Sequence, residues 1–120
     1  MENRHLQETQ VRDLIKALLS YPNGRHRRSV LDDVRRAKQA RGEEIGKNFD
    51  ESFQSAFNRH NRDSKEWAKA GENPRNAVFY FPGPPRRPGW WAVNQERAKE
   101  WLAEHLSVDD IELGEGSFDF

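Results

Sequence analysis

With 120 residues, 34% of them hydrophobic and 33% charged, the chain can build one domain whose small core leans on its four Trp, seven Phe and two Tyr. The absence of cysteine excludes disulfides and thiolate zinc sites, and no stretch supplies the roughly 20 apolar residues of a membrane helix. A net charge of 0 excludes a uniformly basic surface, so any basic face must be balanced by acid elsewhere in the chain.

The opening MENRHLQETQ has no apolar run and does not read as a secretory signal, so a soluble, cytoplasmic protein is expected. Val11, Leu14, Ile15, Leu18 and Leu19 form one stripe at helical spacing, which predicts a first helix over about Leu6–Ser20, stopped by Tyr21-Pro22-Asn23-Gly24. Ser29 followed by Asp32 reads as the capped start of a second helix, with Val30, Leu31, Val34 and Ala37 on its apolar face and Gly42 beyond its end. Asn48 and Glu51 have the same spacing and predict a third helix that reaches Arg62. Phe49, Phe53, Ala56 and Phe57 give it an apolar back. Glu51, Ser55, Asn58 and Arg62, flanked by Gln54, Arg59 and Asn61, give it a polar front. Ser64–Ala70 reads as a short further turn of helix seating Trp67, before Gly71, Asn73 and Pro74.

Ala77–Phe81 and Trp90–Val93 are β-branched and aromatic, and the Pro/Gly run between them predicts a hairpin with a long, stiff tip. Trp90 and Trp91 are adjacent, so they must face opposite ways. Trp91 with Val93 is the inward choice. Trp90 is left to stack on a base, cover a helix or pack against the Pro-rich tip. Asn94 caps a last helix whose Ala98, Trp101, Leu102, His105 and Leu106 share one face. Residues 107–120 show no periodicity and read as a flexible acidic tail, leaving 1–106 as the folded domain.

Charge is divided along this order. Residues 21–92 carry fifteen basic and nine acidic groups, whereas 93–120 carry two basic and eight acidic. The neutral total is a basic middle cancelled by an acidic end.

Three helices, a two-stranded hairpin and a C-terminal helix, with the third helix polar outside, is the order of an α+β winged helix-turn-helix, in which helix three is presented to DNA and the hairpin is the wing. A closer likeness runs over about residues 48–93. Phe53-Gln54-Ser55-Ala56-Phe57-Asn58-Arg59-His60, then Asp63-Ser64, Ala77-Val78-Phe79 and Gly89-Trp90-Trp91-Ala92-Val93 carry it. This part resembles the winged-helix modules attached to modification-dependent restriction endonucleases and related DNA-modification proteins. The resemblance implies binding of double-stranded DNA and, in some members, sensing of a methylated or otherwise modified base.

The residues support that chemistry in three places. On helix three, Gln54, Ser55, Asn58, Arg59 and Arg62 suit base edges in the major groove, with Lys47 just ahead of them; the alternative is an ordinary solvated helix face. Arg86 and Arg87 lie between prolines at the hairpin tip, held ready for phosphates or a narrow minor groove, unless they merely keep a stiff turn soluble. Arg25, Arg27 and Arg28 precede the second helix and could clamp a phosphate at its N-terminus or meet an acidic partner. Trp90 completes the candidate DNA surface.

Catalysis has no comparable support. His5, His26, His60 and His105 are scattered without zinc spacing, His60-Asn61 lacks the rest of an HNH nuclease motif, and no nucleophile elbow, phosphate-cradling Gly loop or cofactor fingerprint occurs. The reading is a non-enzyme without cofactor or metal. A protein-interaction module that uses the same shape to hold a partner is the alternative, and a transcriptional regulator would share the DNA chemistry. In the tail, Asp109, Asp110, Glu112, Glu115 and Asp119 accompany Phe118 and Phe120. That segment could fold back on the basic surface, recruit a partner protein or simply solubilise.

Overall fold

The computed structural model describes residues 2–70, 77–83, 85 and 87–105, apart from the side chains of 2–7, Glu66 and Ala70. It is an α+β arrangement in which, among those residues, five helices surround a three-stranded antiparallel sheet of order β1-β3-β2. No helix of the described residues is long and apolar enough to cross a membrane.

Helix α1 spans Glu2–Leu18, and its stripe of Val11, Leu14, Ile15 and Leu18 is wholly buried. It stops before Ser20 because the chain is already turning: Tyr21 N–H donates to the Leu18 carbonyl (2.9 Å) and Gly24 N–H to that of Tyr21 (2.8 Å). Gly24 has φ +82°, and a Cβ there would lie 2.7 Å from the Trp91 carbonyl oxygen. Only glycine lets this turn lie so close to the sheet.

The next segment departs from the expected one. Strand β1 (Arg25–His26), unforeseen, pairs with β3 and runs straight into α2 (Arg27–Ala40). Ser29 is therefore inside the helix, and His26 is the N-cap, its Nδ1 accepting from Arg28 N–H at 3.1 Å. The cause is non-local: Arg27 N–H donates to the Gly89 carbonyl (2.8 Å), which fixes where extended chain ends and helix begins. At the other end Gly42 N–H bonds the Gln39 carbonyl (3.0 Å) and Glu43 N–H that of Lys38 (2.9 Å), a Schellman closure.

Helix α3 (Phe49–Arg59) follows a loop that lends Ile45 to the core margin. The expected capping box is not formed, since the Asn48 side chain makes no cap hydrogen bond. The helix also ends before Arg62. Phe79 N–H donates to the His60 carbonyl and Arg62 N–H to the Phe79 carbonyl, both at 3.1 Å, so residues 60–62 have become an edge for the sheet. Asn61, expected beside the polar front, is instead fully buried, its Oδ1 accepting from Asp63 N–H at 2.8 Å. Ser64 Oγ then caps α4 (Lys65–Ala70) by accepting from Trp67 N–H at 3.0 Å, while it donates to the Asn58 carbonyl.

Strands β2 (Phe79–Tyr80) and β3 (Trp90–Val93) pair Phe79 with Val93 and Tyr80 with Ala92. Period-2 alternation sends Phe79, Trp91 and Val93 toward the helices and leaves Tyr80, Trp90 and Ala92 on the outer face. Trp91 and Val93 are buried and Trp90 is half-buried, as their adjacency predicted. Asn94 caps α5 (Gln95–His105) through Oδ1, which accepts from Arg97 N–H at 3.0 Å. Ala98 and Trp101 face inward, with His105 stacked on Trp101 at 4.1 Å. Leu106, the tail 107–120, Arg86 and the Gly71-Asn73-Pro74 break lie outside the described residues.

The core centres on Phe57, whose ring stacks on Trp91 (4.1 Å, 11° between planes) and Phe79 (4.8 Å, 29°). One α3 side chain thus fastens the helix to both hairpin strands. Gln10 of α1 donates to Ser52 of α3 on the opposite flank.

An ion network ties α1 to the end of α2. The buried Asp13 carboxylate accepts from Arg12 (3.2 Å) and Arg41 (3.2 Å), and Arg41 continues to Glu43 (2.6 Å), which also receives Lys38 (2.9 Å). The hydrogen bonds from Arg41 and then Lys38 pull the Glu43 carboxyl down from the ordinary 4.5 to about 2. A folded-state pKa below the unfolded one stabilises above pH 4.5, and that contribution fades as pH falls toward 2. The carboxylate is 42% exposed, so screening holds it to about 0.2–1 kcal/mol. Glu43→Gln is expected to lower the urea midpoint slightly at pH 7, with the difference gone by about pH 2.

Candidate nucleic-acid interface

Folding brings together two basic segments that are distant in sequence. Arg27 and Arg28 occupy the first turn of α2 and are exposed, and the Arg27 N–H to Gly89 bond docks that turn on the base of the hairpin loop. Gly89 has φ +80°, and a Cβ there would come within 2.9 Å of His26 Nε2. The positive φ favours glycine at 89, and a Cβ there would push the His26 ring aside. His26 pairs with Trp90 in the ladder, and the Arg87 guanidinium lies 4.2 Å over the Trp90 ring. The backbone thus sets Arg27 and Arg28, at the start of α2, beside the loop that bears Arg87 and Trp90, which defines one basic patch. None of its three arginines has an ion pair with a carboxylate among the described residues.

Arg25 is placed differently. It is half-buried, paired with Asp33 at 2.5 Å, bonded to the Ala17 carbonyl at 3.2 Å and stacked 4.0 Å over Tyr21. Strand alternation explains this, since residue 25 points to the helices when residue 26 points out. Arg25 fastens the turn to α1 and α2, and Arg27 and Arg28 are the charges of that cluster without an ion pair among the described residues.

The third helix contributes a smaller polar front than its sequence implied. Gln54, Ser55 and Arg59 are exposed on α3, and Arg59 has no ion pair among the described residues. Asn58 is half-buried and already engaged. Arg62 lies beyond the helix, with its guanidinium 5.0 Å over Tyr80 and 3.7 Å from Asp63. Lys47 is exposed in the loop that leads into α3. Asp50 and Glu51 make the first turn of α3 acidic, and Asp50 is partly offset by Arg35 at 3.1 Å.

These parts are joined through the sheet. Arg62 rests on Tyr80, and Tyr80 shares with Arg87 a cleft of about 470 Å³ that Asn23, Pro82, Gly83 and Pro85 complete. The end of α3 and the Arg87–Trp90 stack therefore lie on either side of this cleft. Tyr80 and Asn23 went unnoticed in the sequence. Tyr80 could have been found by the alternation argument applied to Trp90, but Asn23 reaches the cleft only because its turn packs on β3.

His60 and His105 are satisfied within their helices, Nδ1 lying 3.0 Å from the Ala56 carbonyl and 2.9 Å from that of Trp101 respectively. Among the described residues no three His, Asp or Glu side chains are grouped as a metal ion requires. Comparison with protein families, curated proteins and solved structures gives no match, so the role of this surface is read from its own residues.

Proposed function

We propose that the chain is a non-catalytic, double-stranded-DNA-binding domain of winged-helix layout, with the β2–β3 loop as its wing. The observation that carries this reading is the Arg27 N–H to Gly89 carbonyl bond, which seats the start of α2, bearing Arg27 and Arg28, at the base of the loop whose Arg87 stacks on Trp90. Guanidiniums with no carboxylate partner among the described residues, held on a helix start and a Pro-rich loop, are suited to phosphate oxygens. The element order and the β1-β3-β2 sheet support the layout, with α3 packed beside the hairpin through Phe57. Gln54, Ser55 and Arg59 are assigned to the major groove, where Gln suits adenine and Arg suits guanine. The acidic first turn of α3 favours an approach led by its C-terminal half. Sensing of a modified base, which the family resemblance implies, would fall to the same front.

A protein-binding role would call for an exposed apolar patch around Trp90. Among the described residues the one large apolar side chain that is exposed is Tyr21, and it carries Arg25. The DNA reading is tested by titrating the chain with random duplex, methylated duplex and single strands at two salt concentrations. Binding to duplex that weakens steeply with salt is expected. No binding to any duplex at low salt overturns it.

A further inference from the structure

The cleft beside Tyr80 has a chemistry that phosphate binding leaves unused. Its lining is about equally polar and apolar, with Pro82, Gly83, Pro85 and the Tyr80 ring as the apolar part. Three of its lining residues carry polar groups: the Asn23 amide, the Tyr80 hydroxyl and the Arg87 guanidinium. None of these makes a hydrogen bond among the described residues. The cleft's volume of about 470 Å³ falls in the range of small-ligand sites, and it is open to solvent on one side.

We infer that this cleft takes an unpaired nucleotide. A planar base can lie against Tyr80 and the proline rim, since every base has a face to stack. The Asn23 amide offers both a donor and an acceptor to the edge that pairing would otherwise occupy. Arg87 stacks on Trp90, and stacking leaves its in-plane N–H groups free for the attached phosphate. The cleft adjoins the basic patch, so a duplex held by Arg27, Arg28 and Arg87 has a base to deliver wherever pairing is weak. Extrusion is least costly where the base is already unpaired. For that delivery the inference rests on the duplex reading above.

The test uses the full chain and three probes: a duplex with one bulged 2-aminopurine, the same duplex fully paired, and free deoxyadenosine monophosphate. The bulged duplex is expected to bind at least about tenfold tighter than the paired one, with quenching of the 2-aminopurine emission on stacking. Asn23→Trp fills the cleft from an exposed turn and is expected to abolish the preference and the quenching, leaving paired-duplex affinity within about twofold. Asn23→Ala, which adds no bulk, is expected to reduce the preference several-fold. Equal binding of bulged and paired duplex overturns the inference and leaves the duplex reading standing. A preference that survives Asn23→Trp unchanged also overturns it. Binding of the free mononucleotide with no affinity for any duplex keeps the nucleotide site and overturns the duplex reading instead.

Discussion

Arg27→Ala, Arg28→Ala and Arg87→Ala combined are expected to weaken duplex binding about 500-fold at 0.1 M salt. Each phosphate contact contributes about −0.9 to the slope of log affinity against log salt, so three lost contacts flatten it by about 2.7. With parity near 1 M, one decade of salt turns that difference into about 500-fold. The fold should be spared, because the three side chains are exposed and their one side-chain interaction among the described residues is Arg87 over Trp90, worth about 0.5–1 kcal/mol at an exposed site. Arg25→Ala is the contrasting variant. It breaks the Asp33 pair and the bond to the Ala17 carbonyl, and is expected to lower the unfolding midpoint while leaving the salt slope of the folded protein unchanged. Salt-dependent titrations beside urea unfolding separate the two. A triple variant with the wild-type slope would remove the patch from the interface, and an Arg25 variant with a flattened slope would return Arg25 to it.

The contrast between Arg25 and its neighbours also marks how far the sequence alone could be read. Periodicity located α1, the apolar back of α3, the inward Trp91 and the Asn94 cap, because each depends on residues within a few positions of one another. Strand β1 is two residues long and has no local signal. It exists because β3 offers an edge and Gly24 and Gly89 allow close approach from either side, contacts made far along the chain. The same dependence moved the start of α2 from Ser29 to Arg27 and decided which of four consecutive basic residues face solvent. The end of α3 was hidden for a related reason. Asn61 and Arg62 continue a plausible helical front, yet the bonds of residues 60–62 to Phe79 and the Asn61 to Asp63 turn outweigh propensity there. Asp63 and Ser64 have a structural use, Asp63 accepting from the distant Phe81 N–H at 3.0 Å and Ser64 from Trp67 N–H at 3.0 Å. The polar front of α3 therefore ends at Arg59, and the cleft at Tyr80, assembled from a turn, a strand and a loop, has no local signal in the sequence.

Phe57→Ala should have the largest effect on stability. The ring is fully buried between Phe79 and Trp91, so truncation removes its transfer free energy and leaves a cavity walled by two rigid rings that cannot collapse onto alanine. Changes of this kind cost about 3–5 kcal/mol, against a total of about 5–15 kcal/mol for a domain. Phe57→Leu keeps most of the volume and should cost less, chiefly the stacking on Trp91 and Phe79, at about 0.5–1.5 kcal/mol per aromatic pair. Urea unfolding followed by far-ultraviolet circular dichroism measures both. The two variants also test how the interface is held. Phe57 is the side chain that stacks α3 on both β2 and β3, so loosening it should separate the α3 front from the arginine patch before the helices melt. The expected signature in Phe57→Leu is nearly normal affinity for random duplex with reduced discrimination between sequences, since phosphate contacts from α2 and the loop need no fixed α3. Equal loss of both would mean that α3 and the hairpin contribute to DNA binding as a single rigid unit.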